Sequence, residues 1–368
     1  MKIAIIETYY ERFLEDFYAG HPEVRALGYA EHLAKLMAFR FSASDAFSHY
    51  FGQEGWEAQE IVFNDTALQG KWAREHGLKL KTPQLSSLWA KAGNVLFGFD
   101  WRFEVLKAQL KKFKPDVVLI KEQSLLTDAM VRELKSMTRL VAIQAASKLL
   151  SRRNYSSVDI AFTSFPHFVP IFEQKGLKAY FQKLCFDPRI LSEIRLGAKK
   201  HEISFVGGVA FGQHLSRGRF LEGLSREFPL DWFGYSHGGR PGPGLKRSWK
   251  GRAWGLDMYQ ALADSNMTLN FHSDIAGPYA NNVRLYEATG VGTCLVTDHK
   301  ENLAEIFEPD SEIVTYRSAG ECAEKLRYLR AHPAECEKIA KTGQARTLRD
   351  HTFGSRISEM SALLKNQL

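Results

Sequence analysis

A cation and a carboxylate lie three residues apart near the start of a predicted helix. Arg284 and Glu287 follow Asn281 and Asn282, which stand where that helix should begin. Residues three apart share one face of a helix, so both side chains would be displayed together. Backbone N–H groups at a helix start favour anions, and the arginine adds a cation beside them. A phosphate suits this helix start, a sugar hydroxyl suits the carboxylate, and a nucleotide-sugar carries both groups.

The segment that positions this pair, residues 266–298, predicts a βαβ unit. Two apolar, β-rich runs, Met267–Phe271 and Thr293–Thr297, flank a loop rich in Gly, Pro and Asn and a short helical stretch that ends at Gly290 and Gly292. Ligands of such units collect where strand ends meet helix starts. His272 stands just past its strand, where it could reach a bound donor.

A second loop of similar character follows the predicted strand His201–Val206. The strand runs into Gly207 and Gly208, and a helix from about residue 216 carries Arg217 and Arg219. Glycines after a strand let backbone amides approach a phosphate closely, and guanidinium groups add paired hydrogen bonds. The full GxGxxG fingerprint is absent. For Arg219, an ordinary solvated or salt-bridged helix residue is the alternative interpretation.

Residues 234–255 follow the predicted strand Leu230–Tyr235 and contain seven Gly, two Pro and five Lys or Arg. This composition predicts a long mobile loop that packs no core. Its cations Arg240, Lys246 and Arg247 are either solvated, or they close over a diphosphate or meet an anionic acceptor.

The amino-terminal half alternates between buried strands and helical stretches. Strands are predicted at Lys2–Ile6, Ile61–Phe63, 116–120, 139–143 and 158–162. Val24, Leu27, Ala34 and Met37 recur at helical spacing after the first strand. The alternation predicts an α/β domain with a parallel, doubly wound sheet.

Residues 65–113 interrupt this alternation with a polar, partly helical stretch. It carries the aromatic residues Trp72, Trp89, Phe97, Phe99, Trp101 and Phe103. One interpretation packs these side chains between an inserted helical pair and the sheet. In the other interpretation, some of these aromatic side chains line a groove that binds an acceptor bearing a sugar.

The carboxyl-terminal third resembles a known family. From Asn282 onward it is similar to the CgeB-like (spore maturation protein) glycosyltransferases of the GT-B fold, which are related to the retaining glycosyltransferase family 4. The matching residues are Arg284, Tyr286, Glu287, Ala288 and Gly290, with His351, Thr352 and Phe353 as the closing element. The close resemblance covers about the last hundred residues, and a looser one covers the rest.

The resemblance implies two Rossmann-like domains with parallel sheets facing across a cleft. Residues 1–188 would form the acceptor domain and end at Phe186-Asp187-Pro188, with a linker near 187–200. Residues 189–350 would form the nucleotide-sugar donor domain, in which Glu287 binds the ribose, although Glu287 as a simple partner for Arg284 remains the alternative. Residues 351–368 would cross back onto the first domain, with His351 as an anchor.

One position departs from the family pattern, and it bears on stereochemistry. Family 4 enzymes usually carry a second Glu eight positions before the ribose-binding one, and here Tyr279 occupies that place. A retaining mechanism uses the donor's own phosphate as base. An inverting mechanism needs a protein base at a strand end of the first domain, where Glu7, His21 and Glu122 qualify by position. Each of these three also has an ordinary interpretation as a surface or capping residue.

Composition and net charge limit the kinds of partner that are expected for this chain. The chain has 368 residues, 45% hydrophobic and 25% charged, with a formal net charge of +7, so two globular domains are expected. The charge suits anionic substrates such as nucleoside diphosphates, or loose attachment to an acidic membrane surface. No nucleic-acid motif is recognisable. No DxD triplet offers carboxylates to a metal, and neither a metal nor another cofactor is expected.

The remaining patterns concern location. The cysteines Cys185, Cys294, Cys322 and Cys336 show no metal-ligand spacing and are expected to be buried free thiols in a reducing cytoplasm. Glu7 interrupts the first apolar run too early for a signal peptide, and no apolar run approaches the ~18 residues of a membrane span. These patterns predict a cytoplasmic protein, with contact at the inner face of the membrane left open.

The hypothesis is a metal-independent glycosyltransferase, retaining by resemblance, that acts on a glycan, lipid-linked or small-molecule acceptor. The resemblance also implies a role in polysaccharide biosynthesis at the cell envelope. Two alternatives belong to other classes. A nucleotide-sugar epimerase would turn over the donor alone. A noncatalytic nucleotide-sugar or glycan-binding protein would keep the fold without turnover, and Tyr279 is the residue that makes this alternative plausible.

Overall fold

Two parallel β-sheets, each with six strands, form the framework of the chain. They are seen in a computed structural model that describes residues 1–80, 100–150, 153–210 and 215–368. The chain divides into two compact units, Met1–Gln182 together with Ile357–Leu368, and Lys183–Arg356. Each unit contains one of the two sheets.

The first unit alternates strands with helices. Its strands are β1 Lys2–Glu7, β2 Glu57–Val62, β3 Val117–Ile120, β4 Leu140–Ala145, β5 Ile160–Thr163 and β6 Lys178–Phe181. Its helices are α1 Glu11–Gly20, α2 Tyr29–Met37, α3 Ala46–Gln53, α4 Thr66–Glu75, α5 Trp101–Phe113, α6 Asp128–Lys135 and α7 Val169–Gln174, with short 3-10 turns at Pro22–Arg25 and Pro166–Phe168.

The order of the strands in the first sheet is β2-β1-β3-β4-β5-β6, and every pairing is parallel. Ile3, Ile5 and Ile6 of the central strand β1 are fully buried, as a parallel sheet covered on both faces requires. The predicted parallel, doubly wound sheet is confirmed. Its chain order reverses between β1 and β3, and the carboxyl ends of strands at such a point are where ligands bind in open α/β sheets.

One predicted helix of the first unit is broken. The helical spacing from Val24 to Met37 indicated a continuous helix, but the structure has a 3-10 turn at Pro22–Arg25 and then α2. Gly28, in extended conformation, caps α2, so Val24 belongs to the turn, Leu27 lies between the two elements, and Ala34 and Met37 belong to the helix. The apolar residues of the turn and those of α2 happen to follow one 3.6-residue period, although they belong to different elements.

The aromatic residues of the 65–113 stretch fall into two groups. Trp72 and Phe103 are buried, and Trp72 packs with Val105 and Trp101 in one apolar cluster between α4 and α5. For these side chains the packing interpretation holds. Residues 81–99, which include Trp89, Phe97 and Phe99, lie outside the described residues.

A buried carboxyl on β2 predicts a pH-dependent stability. Burial raises the pKa of Glu60 from 4.5 to about 8, although Lys121 opposes the shift. Between these two values the folded chain holds a proton that the unfolded chain has lost, so the free energy of unfolding falls as the pH rises through that window. We expect Glu60→Gln to remove this loss, which should be on the order of a few kcal/mol, in urea unfolding measured across the window.

Glu57→Gln is the matched control for that measurement. Glu57 lies on the same strand, but its side chain is 60% exposed and pairs with Lys2. Its variant should keep the pH profile of the wild type. Parallel profiles for wild type and Glu60→Gln would contradict the assignment of the proton to Glu60.

The second unit also alternates strands with helices around a parallel sheet. Its strands are β7 His201–Val206, β8 Val209–Ala210, β9 Leu230–Phe233, β10 Ser236–His237, β11 Trp249–Gly251, β12 Ser265–Asn270, β13 Cys294–Asp298 and β14 Val314–Tyr316. Its helices are α8 Ile190–Glu193, α9 Leu215–Glu227, α10 Pro243–Ser248, α11 Gly255–Ala263, α12 Arg284–Gly290, α13 Ala319–Ala331 and α14 Pro333–Asp350, and α15 Phe353–Lys365 begins in this unit.

The second sheet has the order β11-β9-β7-β12-β13-β14, again with all strands parallel. When only the six strands of this sheet are numbered along the chain, the order is 3-2-1-4-5-6, the order of dinucleotide-binding Rossmann domains. The predicted strand, loop, helix and strand of residues 266–298 are present as β12, α12 and β13. The order reverses beside β7 and β12, so the loops that follow these two strands flank the expected ligand crevice.

The prediction of a long mobile loop at residues 234–255 is wrong, because this segment is structured. The segment forms β10, α10 and the edge strand β11, and Leu245 is fully buried in the core of the second unit. The carboxylate of Glu222 accepts hydrogen bonds from the amides of Gly244 and Leu245, at 2.9 Å each. A distant carboxylate thus fixes a glycine-rich helix start, and one buried leucine suffices to anchor it. Lys246 and Arg247 remain exposed.

Gly290 ends α12 against an aromatic ring, and its substitution should be costly. A Cβ at this position would lie 2.5 Å from the ring of Phe186, which is itself buried. We expect Gly290→Ala to destabilise the protein by about 1–3 kcal/mol, because the ring must shift in a packed core, as measured by chemical denaturation. Gly223 on α9 has nothing within 4 Å of such a Cβ, so Gly223→Ala should gain up to about 1 kcal/mol. Equal effects of the two substitutions would contradict this account.

The carboxyl terminus passes from one unit to the other. α15 starts in the second unit, and from Ile357 onward the chain belongs to the first, where Trp56 donates a hydrogen bond of 2.8 Å to Ser361. His351 precedes α15; its Nε2 lies 2.9 Å from the Ile306 carbonyl oxygen, and burial lowers its pKa to about 4.

The units divide at Gln182 rather than at the predicted residue 188.

The expected linker is structured. Within residues 187–200 the chain forms α8, and Ile190 is buried in the core of the second unit. Of the cysteines, Cys294, Cys322 and Cys336 are buried free thiols as predicted, whereas Cys185 is only half-buried, which differs from the prediction. Among the described residues, none of the helices combines the length and the apolar character that a membrane crossing requires.

Candidate functional site

A cleft of about 700 Å³ opens at the carboxyl edge of the second sheet. Its wall comes from the residues that end or follow β7, β9, β12, β13 and β14, and from the first two turns of α9. This is the place where the strand order reverses. The side chains that matter for its chemistry are Arg217, Phe271, His272, Asp298 and Tyr316.

Arg217 supplies a largely buried cation to this cleft. Its guanidinium lies over the ring of Phe271, 5.4 Å from the ring centre, and Nη2 lies 3.4 Å from the Phe271 carbonyl oxygen. Burial lowers its pKa, and Asp298 acts in the opposite direction; an arginine nevertheless stays protonated. No carboxylate of the described part of the chain lies within ion-pair distance of it. Its charge is therefore open to an anion in the cleft.

His272 is held at the base of the cleft by Asp298. The backbone amide and Nδ1 of His272 both reach Oδ1 of Asp298, at 2.9 and 2.8 Å, and the histidine side chain is fully buried. Burial by itself raises the pKa of Asp298, but the hydrogen bonds and charge of His272, with the charge of Lys300, hold it below its ordinary value. Asp298 is thus an ionised carboxylate that fixes the histidine ring.

Arg284 and Glu287 pair with each other at the start of α12. Nη1 of Arg284 lies 2.7 Å from Oε2 of Glu287, and both side chains are largely buried. The hydroxyl of Tyr259 lies 3.4 Å from the other oxygen of Glu287, and Nη1 also lies 3.0 Å from the Met258 sulfur. The structure therefore contains the i,i+3 pair that the sequence left as the alternative, and Arg284 and Glu287 lie outside the wall of the cleft.

One backbone carbonyl connects this pair to the cleft. The Phe271 oxygen accepts from Nδ2 of Asn282 at 2.9 Å as well as from Arg217. Oδ1 of Asn282 in turn accepts from the amide of Arg284 at 2.9 Å. Asn282 therefore has a positioning role that joins β12 to the start of α12. Oδ1 of Asn281 is buried and lacks a hydrogen-bond partner among the described residues, so it could accept from a ligand.

Of the residues predicted to bind the donor phosphate in the loop after β7, Gly207 and Arg219 have other contacts, and Gly208 lines the cleft. The amide of Gly207 donates to the Phe233 carbonyl at 2.9 Å; it continues the sheet and is not directed at a phosphate, which corrects the prediction for Gly207. Gly208 lines the cleft, and a Cβ there would lie 3.2 Å from the ring of Tyr235. Arg219 is exposed and faces a separate shallow depression beside Arg240. Its solvated interpretation is the one that the structure favours.

The three predicted bases lie in the first unit, and each has partners. Glu7, at the end of β1, is buried, lies 2.8 Å from Nζ of Lys121 and accepts from Ser42 at 2.8 Å. This ion pair occupies the carboxylate that was expected to act as a base.

Glu122 and His21 have ordinary contacts. Glu122 follows β3 and caps a turn by accepting from the amide of Ser124 at 3.0 Å. The ring of His21 lies 4.9 Å from that of Phe39, and its Nδ1 lies 3.2 Å from Glu23. In the structure, Glu122 is a capping residue and His21 is a surface residue, which are the ordinary interpretations given above.

Sequence reasoning missed Asp298 and the aromatic wall. Asp298 ends β13, beside the strand end that carries His272, so the rule that parallel strands end at one edge could have identified it. Phe220, Phe271 and Tyr316 form a group of rings with centres 5.0 to 6.3 Å apart. These rings resemble core positions in sequence, and only their place at the edge distinguishes them.

A larger cavity, about 1110 Å³, lies at the opposite, amino-terminal edge of the second sheet. Its charged side chains are engaged with the protein. Arg330 pairs with Glu202, Lys341 pairs with Glu337, and Lys199 donates to the carbonyl oxygens of Ala263 and Gly292. The smaller cleft is the better candidate site, because the cation Arg217 there has no carboxylate partner among the described residues.

Comparison with known proteins assigns the fold. Residues 217–362 match the family model described as Glycosyl transferase-like. Among curated proteins, no relative matches the chain significantly. The fold is that of the GT-B glycosyltransferases, and most of the residues that match the glycosyl transferase-like model lie in the second unit.

Solved structures with this fold align over nearly the whole chain. HepE from Anabaena, in complex with UDP-glucose, aligns over 100% of both chains at 11% identity, with a TM-score of 0.61. Sucrose-phosphate synthase from Thermosynechococcus elongatus covers 100% of this chain and 98% of its own at 11% identity, with a TM-score of 0.57. UDP-GlcNAc 2-epimerase from Neisseria meningitidis, bound to UDP-GlcNAc, covers 99% of this chain and 100% of its own at 12% identity, with a TM-score of 0.51.

Proposed function

We propose that the protein is a glycosyltransferase that moves a sugar from a nucleotide-sugar donor to a glycan, lipid-linked or small-molecule acceptor. The observation that carries the proposal is Arg217. It is a partly buried cation without a carboxylate partner among the described residues, and it lies in the cleft of the region that matches the glycosyl transferase-like model. The UDP-glucose in the HepE structure supports a nucleotide-sugar as the donor.

The cleft suits the charge that develops during glycosyl transfer. As the bond from the sugar to the diphosphate breaks, negative charge grows on the phosphate oxygens, and preorganised cations stabilise it. Arg217 supplies a full positive charge at the wall of this cleft. This arrangement needs no metal ion in our scheme.

Glu287 is proposed to receive the ribose hydroxyls. Its carboxylate is paired with Arg284 at 2.7 Å, so the arginine holds it in a fixed rotamer. An ionised carboxylate accepts hydrogen bonds from both hydroxyls of a ribose. The pair and the ribose site are thus compatible, with Arg284 as a positioning residue.

For stereochemistry we propose the retaining route. It uses the donor phosphate as base and therefore needs no free carboxylate from the first unit. The engaged state of Glu7, paired with Lys121, supports a mechanism that does not depend on it. We further propose that the acceptor belongs to polysaccharide biosynthesis on the cytoplasmic side of the cell envelope.

A nucleotide-sugar epimerase is the second candidate. The alignment with UDP-GlcNAc 2-epimerase over nearly the whole chain favours keeping it. The two activities differ in what they need, since an epimerase converts the donor alone and a transferase releases a nucleoside diphosphate as an acceptor gains a sugar.

The deciding experiment follows the fate of the donor. Nucleotide-sugars with uridine, guanosine, thymidine, adenosine and cytidine bases are incubated with the protein, alone and with glycan, lipid-linked and small-molecule acceptors. Release of nucleotide that depends on an acceptor supports the transferase. A new donor isomer formed without an acceptor supports the epimerase, and donor binding without either product supports a binding protein; both of the latter results contradict the proposal.

A further inference from the structure

Two of the free cysteines meet in the core of the second unit. Cys294 begins β13 and Cys336 lies near the start of α14, and both belong to the same apolar cluster. In the parallel pairing of β12 with β13, Cys294 stands opposite Met267. The sulfur of Cys336 lies 3.9 Å from the carbonyl oxygen of Asn266, the residue before Met267. The strand register and this contact therefore bring the two cysteines to the same place between the sheet and α14.

The thiols of Cys294 and Cys336 are in hydrogen-bond contact with each other, and the contact makes them unequal. The hydrogen bond from Cys294 lowers the pKa of the Cys336 thiol; burial opposes this shift and the charge of Lys199 supports it. The same hydrogen bond, together with burial, raises the pKa of Cys294. Because the thiolate is the nucleophilic form of a cysteine, Cys336 is the sulfur that reacts first and Cys294 is the one that follows.

The position of Cys336 also gives a small reagent a route to the pair. Cys336 and Lys199 line the cavity of about 1110 Å³ at the amino-terminal edge of the second sheet, while Cys294 is fully buried in the core. Cys322 belongs to the same apolar cluster, but burial raises the pKa of its thiol to about 12. The pair thus combines one sulfur at a cavity wall with a second sulfur in contact with it.

We propose that Cys336 and Cys294 form a redox modification site, at which a peroxide that enters this cavity oxidises Cys336 and Cys294 then closes a disulfide. In the first step the Cys336 thiolate attacks one peroxide oxygen; an S–O bond forms, the O–O bond breaks, and the released hydroxide takes up a proton and becomes water. In the second step the sulfur of Cys294 attacks the sulfur of Cys336; the S–S bond forms, the S–O bond breaks, and the hydroxyl leaves with the thiol proton of Cys294 as a second water. The two thiols lose two electrons and two protons in all, and the peroxide is reduced to two waters.

The site is reversible, and it does not depend on the proposed function. In the reducing cytoplasm expected from the sequence, both residues stay thiols until an oxidant arrives. Disulfides of cytosolic proteins are usually transient and redox-sensing, and exchange with a dithiol restores the two thiols. Oxidation would therefore join β13 to α14 covalently for as long as the oxidant persists.

Hydrogen peroxide is the probe that tests this inference. The full chain is treated with it, remaining thiols are blocked with N-ethylmaleimide in denaturant, and intact mass and non-reducing peptide mapping follow. We expect the wild type to lose two of its four thiols, with a crosslinked peptide that contains Cys294 and Cys336, and we expect dithiothreitol to restore both. Cys294→Ser should stop at the sulfenic acid of Cys336, which dimedone traps. Cys336→Ser should leave Cys294 a thiol.

The other two cysteines provide the matched controls. Cys322 is buried and Cys185 is half-buried, so Cys322→Ser and Cys185→Ser should form the disulfide to the same extent as the wild type. The inference would be overturned if the wild type kept all of its thiols under peroxide that oxidises free cysteine, or if the crosslink contained Cys185 or Cys322. It would also be overturned if Cys336 were oxidised to a sulfinic acid while Cys294 stayed a thiol. Mapping of the wild type decides among these outcomes even if a variant fails to fold.

Discussion

Arg217→Ala should weaken nucleoside diphosphate binding by roughly 30- to 150-fold. The guanidinium is largely buried, lacks a carboxylate partner among the described residues and is fixed over Phe271. A hydrogen bond to a charged group in such a place contributes about 2–3 kcal/mol, and each 1.4 kcal/mol is about tenfold in affinity. Titration calorimetry with the nucleotide that binds the wild type most tightly measures the loss.

Arg219→Ala is the matched control for this prediction. Arg219 lies two residues further along α9, exposed and beside Arg240 rather than in the cleft. Both variants remove the same formal charge, so a general electrostatic effect would weaken binding equally in both. We expect Arg219→Ala to bind with nearly the affinity of the wild type. Equal losses would contradict the placement of the diphosphate at Arg217.

Glu287→Ala should lower the free energy of unfolding by about 3–5 kcal/mol, because it leaves the largely buried cation of Arg284 without its partner. Urea denaturation of the ligand-free protein measures this loss. The same variant should also lose the contribution of the ribose hydroxyls to nucleotide binding. A stability loss below about 1 kcal/mol, the size expected for an exposed ion pair, would contradict the buried-pair description.

A double variant separates the structural role of Glu287 from its proposed role in binding. Replacing both partners, Arg284→Met with Glu287→Leu, keeps the volume and removes both charges, which is often nearly neutral for stability. We expect the double variant to recover most of the stability and to bind nucleotide as weakly as Glu287→Ala. Recovery of wild-type affinity together with stability would show that Glu287 serves only as the partner of Arg284.

The sequence was sufficient for the elements whose signals are local. The βαβ unit at 266–298 was predictable because two apolar runs, a glycine-rich loop and the glycines at 290 and 292 all lie within one short segment. Arg217 and His272 were identified because strand ends and helix starts at a carboxyl edge follow from the order of elements alone. The break between Val24 and Met37 was missed because a turn and a helix happened to share one apolar period.

Contacts between residues distant in sequence set the limit of that prediction. The carboxylate of Glu222 that holds the amides of Gly244 and Leu245 turns a glycine-rich stretch into a helix. Lys121, which directly follows the neighbouring strand β3, pairs with Glu7 and so engages the carboxylate that was a candidate base. Pairing of this kind depends on the fold, and no local pattern encodes it.

The central claim is that the cleft at Arg217 binds the nucleotide of a sugar donor. A thermal-shift screen of UDP, GDP, CMP, dTDP and ADP against the wild type, Arg217→Ala and Arg219→Ala tests it most directly. At about a hundred times Kd, a ligand adds about 2.7 kcal/mol to the native state, which raises the unfolding midpoint by several degrees. We predict such a rise with at least one nucleotide for the wild type and Arg219→Ala, and little or none for Arg217→Ala. The absence of any rise in the wild type, or an equal rise in Arg217→Ala, would contradict the account.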